Sequence, residues 1–263
     1  MIKNEIFSCR GWTIECTVGS MADCEGLANS ERITGVRPLP DMFFQNSVLH
    51  LSFGNIKIVL NAMGAVTNTL LEVSADNLDA LRRGCANMFL NPEMRSSCLG
   101  GSQVQQAKIW KASSSHIPIE VLQYAHDWTY TTLYWGEILV DGDCIIDDGL
   151  GNTCNDDFLP LSLLTDCTIP LVTFKEIDFW EDELDDNGFS RMNVKLRVMS
   201  TFWYVLMKFE LRVDGVLKSR SIETRIFHEF GSDTILREFK WFENGLENKN
   251  HRVCQTVLFN SES

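Results

Sequence analysis

The sequence lacks the cysteine and apolar patterns that mark several common protein classes. No two cysteines form a C-x-x-C pair, which argues against a zinc ribbon and a thioredoxin-type redox site. No apolar run reaches the roughly eighteen residues that a transmembrane helix needs, and the opening MIKNEIFSCRGW has no apolar stretch typical of a secretory signal. The nine cysteines are scattered and odd in number, so we expect mostly free thiols, many of them buried. The expected compartment is the cytoplasm, with the nucleus as a second location.

Positive charge is also scarce. Lys and Arg number 23 against 36 Asp and Glu, which gives a formal net charge of −13. A field of this sign repels phosphate backbones and anionic lipids, so we expect no nucleic-acid partner and no membrane partner. It favours a partner with a basic or mixed surface. Hydrophobic residues make up 44% of the 263 residues, enough for a sizeable core, and we expect one domain spanning 1–263.

The signatures of common catalytic sites are missing as well. There is no G-K-[ST] phosphate loop, no G-x-S-x-G elbow and no H-E-x-x-H pair. The acidic stretch from Asp141 resembles a calcium loop in part, but Ile145 and Ile146 stand where an oxygen ligand and a glycine are needed. We therefore expect no cofactor, no metal and no catalysis. The alternative is a hydrolase or a small-ligand-binding β-rich domain with its own pocket.

Alternating apolar and polar residues predict β-strands through much of the chain. The pattern runs through residues 12–18, 48–60 and 192–213. Asp214-Gly215 then predicts a tight hairpin that pairs the preceding strand with residues 216–222. Because strands do not alternate regularly with helices, the sheets should be antiparallel rather than parallel.

The expected helical content is small. Apolar residues in 74–90 recur at helical spacing, with Ser74 as a suitable N-cap. Residues 91–118 show no period and many turn formers, so we interpret them as a long variable loop, and 141–157 as a further loop. The expected fold class is α+β, mainly antiparallel β-sheets with two or three helices in a single domain.

An acidic and aromatic segment follows, FKEIDFWEDELDD at residues 174–186. Its apolar members Phe174, Ile177, Trp180 and Leu184 match a helical stripe, so a helix is predicted whose acids face solvent or a partner. A solvated helix face above an ordinary core stripe is the simpler interpretation. A negative patch with aromatic anchors is the composition expected of a recognition surface.

Five short motifs in one order, with PDMFF before them, resemble the TIP-forty-one-like family of TOR signalling pathway regulators. They are DWTYTT at 127–132, WEDEL at 180–184, VKLRVM at 194–199, LRVDGVL at 211–217 and ETRIFHE at 223–229. The resemblance implies a regulatory protein, monomeric on its own, that binds the catalytic subunits of type 2A-like serine/threonine protein phosphatases. It implies no catalysis by the chain itself.

The resemblance also implies a set of partner-binding residues. On a strand, Glu223, Arg225, Phe227 and Glu229 would share one face. The competing interpretation is an ordinary cross-strand ion pair for the charged residues and core packing for the aromatic ones. The residues assigned to partner binding are Glu223, Arg225, Phe227, His228, Glu229, Glu181, Asp182, Glu183, Asp127 and Tyr130.

The chain departs from the family pattern in two places. Met63-Gly64 follows Asn61-Ala62 where relatives tend to carry a polar residue, and the sequence after LREF at 236–239 is shorter than theirs. Either departure would bear on the partner surface.

Overall fold

A computed structural model describes ten stretches of the chain. They are residues 2–34, 39–67, 69–72, 129–132, 134–140, 145–147, 156–183, 188–213, 217–248 and 252–259. Strands dominate them. In chain order the strands are β1 Lys3–Cys9, β2 Trp12–Val18, β3 Met42–Phe43, β4 Val48–Phe53, β5 Ile56–Asn61, β6 Thr69–Glu72, β7 Thr129–Thr132, β8 Glu137–Val140, β9 Ile145–Asp147, β10 Leu171–Asp182, β11 Gly188–Met199, β12 Phe202–Val213, β13 Leu217–Glu229, β14 Thr234–Glu243, β15 Leu246–Glu247 and β16 Val253–Leu258.

The strands form two large antiparallel sheets and one separate pair. The five-stranded sheet has the order β1-β2-β4-β5-β8, and the nine-stranded sheet has the order β3-β10-β11-β12-β13-β14-β16-β9 with β15 beside β14. β6 pairs with β7. The described helices are α1 Cys24–Thr34, α2 Ala62–Thr67 and a short 3₁₀ helix at Leu161–Thr165. This architecture confirms the α+β class built mainly on antiparallel sheets.

The main core lies between the two large sheets. Alternate residues of each strand point into it, because successive side chains of a strand leave on opposite faces. Trp12 of β2 meets Trp203 of β12 edge-to-face with ring centroids 5.1 Å apart, and both side chains are fully buried. Large apolar residues of β4, β5, β10 and β11 complete the same cluster. Burial of this apolar area is the main force that holds the sheets together.

A second, smaller apolar cluster lies on the opposite face of the nine-stranded sheet. Phe202, Tyr204 and Phe227 form its base, and Leu159 with neighbours from residues 158–169 packs over them. This segment therefore covers one end of the outer face and leaves the other end to charged residues.

The strand predictions are confirmed where the structure describes them. β2 occupies residues 12–18, and β4 and β5 form the hairpin around Gly54, whose φ is +53°. β12 pairs antiparallel with β13, and Phe209 lies opposite Ile222 as expected. Asp214-Gly215 itself lies outside the described residues.

The helix predicted over residues 174–184 is wrong, because Leu171–Asp182 forms strand β10. The register with β11 shifts between Asp178 and Trp180, so Phe179 is an extra residue in the strand and both Phe179 and Trp180 are buried. One inserted residue interrupts the period-two alternation. The resulting spacing of apolar residues resembles a helical stripe.

The remaining predictions of loops and helices have different outcomes. The loop predicted at 141–157 contains the short strand β9, which pairs with β16. The helix predicted at 74–90 and the loop predicted at 91–118 lie outside the described residues. Helix α1 was not predicted, although Asp23 accepts a hydrogen bond from the Gly26 N–H at 2.8 Å, as an N-cap does.

The described cysteines are less buried than expected. Cys9, Cys16, Cys24 and Cys167 carry free thiols, and Cys254 is disulfide-bonded. Cys24 and Cys167 are exposed, whereas Cys16 and Cys254 are buried. Free thiols predominate among these five residues, as the sequence predicts.

Candidate partner-binding face

The outer face of the nine-stranded sheet carries a dense array of charges beside the small apolar cluster. These side chains occupy the alternate positions that point away from the core, so the same strands that fill the core also fix the spacing of the charges. We call this array the charged face. Its residues are Glu176, Asp178, Glu181, Arg191, Lys195, Lys208, Glu210, Glu223, Arg225, Glu238, Lys240 and Arg252.

Charges of opposite sign face each other across the first strands of this array. Arg191 on β11 lies opposite both Glu181 on β10 and Glu210 on β12. Its Nη2 donates to Glu210 Oε2 at 2.7 Å, and Lys208 Nζ lies 2.8 Å from the other oxygen of Glu210. Partial burial opposes ionisation of Glu210, but Lys208 and Arg191 outweigh it and hold the pKa of Glu210 below its ordinary value.

A tighter network occupies β13, β14 and the start of β16. Glu238 is almost fully buried, and its two oxygens meet Arg252 at 2.5 Å and Arg225 at 3.5 Å. Arg252 also reaches Asp156 at 2.8 Å, in the segment that covers the second apolar cluster. A buried carboxylate needs such cations, since an unpaired charge in the interior is very unfavourable.

Arg225 stands at the centre of that network. Burial by itself lowers the pKa of its guanidinium, but Glu223 more than reverses this and the pKa of Arg225 is raised. The pKa of the neighbouring Tyr204 is raised to about 12, chiefly by burial. Arg225 therefore stays cationic and Tyr204 stays neutral throughout the physiological pH range.

The structure places four predicted partner residues on or beside the charged face. Glu223 and Arg225 are half-buried, with 15% and 17% of their side chains exposed. Glu181 and Glu229 are exposed. Three strand spacings and an offset of two residues separate Glu181 from Glu223, so they lie about 16 Å apart on the sheet. A single partner surface can contact both.

Three predicted partner residues do not reach the surface. Phe227 belongs to the second apolar cluster and is 3% exposed, and His228 is 2% exposed in the main core. Asp182 is 8% exposed, because the bulge in β10 places Glu181 on the outer face and therefore its neighbour Asp182 on the core side. The structure therefore gives no support for assigning these three to partner contact. Strand geometry separates sequence neighbours onto opposite faces.

His228 is instead a core residue with one polar contact. Its Nδ1–H donates to the carbonyl of Thr234 at 2.9 Å, and its ring lies 4.9 Å from that of Trp12 and 5.5 Å from that of Trp203. Burial lowers the pKa of His228, and the hydrogen bond to Thr234 offsets this only in part. The ring is therefore neutral at physiological pH.

The remaining predicted residues are only partly placed. Glu183 is exposed just beyond the end of β10. Tyr130 lies in β7 with Leu71 as its cross-strand neighbour. Asp127 lies outside the described residues. The departure at Met63-Gly64 falls at the start of α2, where the Gly64 N–H donates to the Asn61 side chain at 2.5 Å.

Several members of the charged face were not singled out from the sequence, namely Arg191, Lys208, Glu210, Glu238 and Arg252. The alternation in β12 already placed Lys208 and Glu210 opposite the core-facing residues. What the sequence does not display is which strands are neighbours, and that pairing is what brings the opposite charges together.

The described stretches contain neither a metal-binding cluster nor a membrane-spanning helix. No three or more His, Cys, Asp or Glu side chains there converge so that they could hold a metal ion. No described helix is both long enough and apolar enough to cross a membrane.

The fold and the charged face together define a class: a β-sandwich protein whose larger sheet presents a broad, mixed-charge outer surface. Comparison with known proteins identifies the family. The model of the TIP41-like family matches residues 42–249. The chain belongs to this family.

Similar proteins occur in plants, fungi and animals. A TIP41-like protein of Arabidopsis thaliana is 33% identical over 247 residues, covering 88% of this chain and 75% of the relative. The type 2A phosphatase activator TIP41 of Saccharomyces cerevisiae is 31% identical over 260 residues, covering 96% and 67%. A human TIP41-like protein is 31% identical over 233 residues, covering 88% and 72%.

Proposed function

We propose that this protein binds the catalytic subunits of type 2A-like serine/threonine protein phosphatases and regulates them within TOR-linked signalling, without catalysis of its own. The observation that carries the proposal is the family relationship, since the yeast relative is named as a type 2A phosphatase activator. The expected compartment remains the cytoplasm, with the nucleus as a second location.

The charged face is the surface we assign to this contact. It combines exposed carboxylates such as Glu181 with the half-buried Glu223 and Arg225. Ion pairs with each other and with Glu238 hold Glu223 and Arg225 in place, so these two lose little side-chain freedom when a partner binds. Charges arranged in this way contribute specificity and association rate more than raw affinity.

The first experiment measures binding directly. The purified full-length chain is titrated into a purified type 2A phosphatase catalytic subunit in a calorimeter. A saturable heat with one-to-one stoichiometry is expected. If no heat and no co-elution on gel filtration are observed, this protein does not bind that subunit and the proposal fails.

A pair of variants then locates the contact. Glu223→Lys should weaken binding by more than about 1 kcal/mol, as truncation of a hot-spot residue does. Glu15→Lys makes the same charge change on the outward side of β2 in the other sheet, where the side chain is 37% exposed. It should bind like the unmodified chain. Equal weakening by both variants would indicate a general charge effect and place the contact elsewhere.

A further inference from the structure

Among the residues that the structure describes, the outer edge of β10 has no strand paired with its regular part. β10 pairs with β11 on one side, whereas on the other side it meets β3 only at Trp180 and Glu181. Between the register shifts at its two ends, β10 pairs regularly with β11 over Thr173–Asp178. No other described strand pairs with this stretch. In such an edge, every second residue turns its N–H and C=O away from the sheet.

The side chains beside this open edge are not those of a well-protected edge. Phe174 is 44% exposed, and Leu171 and Val172 just before it are 56% and 52% exposed. Edge strands that avoid association are usually short, bulged or charged; β10 has bulges at both ends and one lysine, Lys175, but it is 12 residues long. Three large exposed apolar residues next to unpaired backbone are instead typical of a place where another chain binds.

The outward side of the same stretch is acidic. Glu176 is paired with Lys195 at 3.0 Å, but Asp178 lies opposite Asn193, and no described cation is recorded within ion-pair distance of its carboxylate. Partial burial raises the pKa of Asp178, repulsion from Glu176 and Glu181 adds to the effect, and attraction from Arg191 and Lys195 offsets it only in part. A cation placed next to Asp178 would therefore relieve repulsion already present in the protein.

We propose that the open edge of β10 binds an extended, basic segment of a partner protein as an additional strand. Backbone hydrogen bonds to Thr173–Asp178 would supply affinity, and alternate side chains would supply specificity. The segment carries Lys or Arg beside Glu176 and Asp178 and an apolar residue beside Phe174. This binding shares Glu176 and Asp178 at the β10 end of the charged face, but it does not require the phosphatase contact proposed above.

A second copy of the chain fits this edge poorly. Antiparallel pairing of β10 with itself places residues of one face opposite residues of the same face. An acid of one copy then lies opposite an acid of the other, or else Phe174 or Val172 lies opposite an acid. Like charges directly opposite each other destabilise a strand pair. A basic strand removes this penalty, so the occupant is a different chain.

The test uses the full chain and a synthetic peptide of about eight residues, the length that spans such an edge. The peptide alternates lysine with threonine and has a valine at each end. One control peptide has glutamate in place of every lysine, and another has N-methylated amides at alternate positions. Affinity is measured by fluorescence anisotropy, and the bound region is measured by hydrogen–deuterium exchange.

The lysine peptide should bind, slow amide exchange within Thr173–Asp178 and lose affinity as salt is added. The two control peptides should not bind. Asp178→Asn should weaken binding about two- to fivefold, the scale of one lost charge contact. The matched control Asp233→Asn, in the exposed turn between β13 and β14, should bind normally.

Three results would overturn the proposal. The first is equal affinity of the lysine peptide for the Asp178→Asn variant and for the unmodified chain. The second is protection of amides elsewhere but not in Thr173–Asp178. The third is a dimer in sedimentation that already protects this stretch without peptide, which would make a second copy the occupant.

Discussion

Arg225 donates two hydrogen bonds to one carboxylate oxygen of Glu223, its neighbour two residues back on the same strand, from Nε at 3.0 Å and from Nη2 at 2.5 Å. This contact directs the guanidinium along β13, and its remaining nitrogen reaches Glu238 on β14. The family motif at 223–229 thus encodes part of an internal charge network as well as part of an outer surface.

Replacing Arg225 with methionine should lower the free energy of unfolding by about 2 kcal/mol. The change removes the ion-pair partner of the half-buried Glu223 and one of the cations around the buried Glu238, which keeps Arg252. Urea unfolding measures the loss. Arg197→Met on the same face is the control, because Arg197 is exposed, and it should change stability by less than about 0.5 kcal/mol. Similar losses in both variants would mean that the network contributes little.

Replacing Gly136 with alanine should destabilise the protein by more than about 2 kcal/mol. Its φ is +82°, and an added Cβ would lie 2.2 Å from Leu60 Cδ2, so backbone strain and overpacking combine. Gly231 has a similar φ of +91° but nothing within 4 Å of an added Cβ. Gly231→Ala should therefore cost about 1 kcal/mol, from strain alone. The difference between their melting curves isolates the contact with Leu60.

Replacing His228 with phenylalanine should change how stability depends on pH. In the folded protein burial lowers the pKa of His228 below 6.5, so the unfolded chain takes up this proton first as pH falls. The contribution of His228 to stability is complete above pH 6.5 and decreases as pH falls from there towards the folded pKa.

In the variant this decrease of stability below pH 6.5 should be absent. Its free energy of unfolding at neutral pH should be about 1 kcal/mol lower, because the hydrogen bond to Thr234 is missing. Urea unfolding at about pH 7.5 and about pH 5.5 gives the two values. An unchanged pH dependence would show that His228 is not the titrating group. Phosphatase affinity at neutral pH should stay the same, since the side chain lies in the core.

The strands β11 to β13 were predictable because their alternation is regular and each buries one face. β10 was not predicted, because one extra residue at Phe179 replaces the alternation by two consecutive buried aromatics. Helix α1 was missed since it buries little, and Ser30 is its one buried residue. Its capping residue Asp23 was the available signal.

The candidate site, too, was predictable only in part. Sequence motifs pointed to Glu223, Arg225 and Glu181, which lie on one face. The same motifs included His228 and Asp182, which point into the protein, because a motif does not state which of its residues face outward. For Asp182 a strand assignment alone would still have been insufficient. The bulge reverses which alternate residues face outward after it, so Asp182 points to the core. The position of a bulge depends on the partner strand.

The neighbours Glu181 and Asp182 offer the sharpest separation of binding from folding. Glu181→Lys changes an exposed side chain on the charged face, so it should weaken phosphatase binding by about 1 kcal/mol and leave the melting temperature nearly unchanged. Asp182→Lys places a longer cation at a site that is 8% exposed, so it should lower the free energy of unfolding by more than about 2 kcal/mol. Calorimetric titration and thermal unfolding of both variants provide the four values. If Glu181→Lys retains full affinity, the contact lies outside β10; if it unfolds as readily as Asp182→Lys, Glu181 has a structural role and its place on the partner surface is lost.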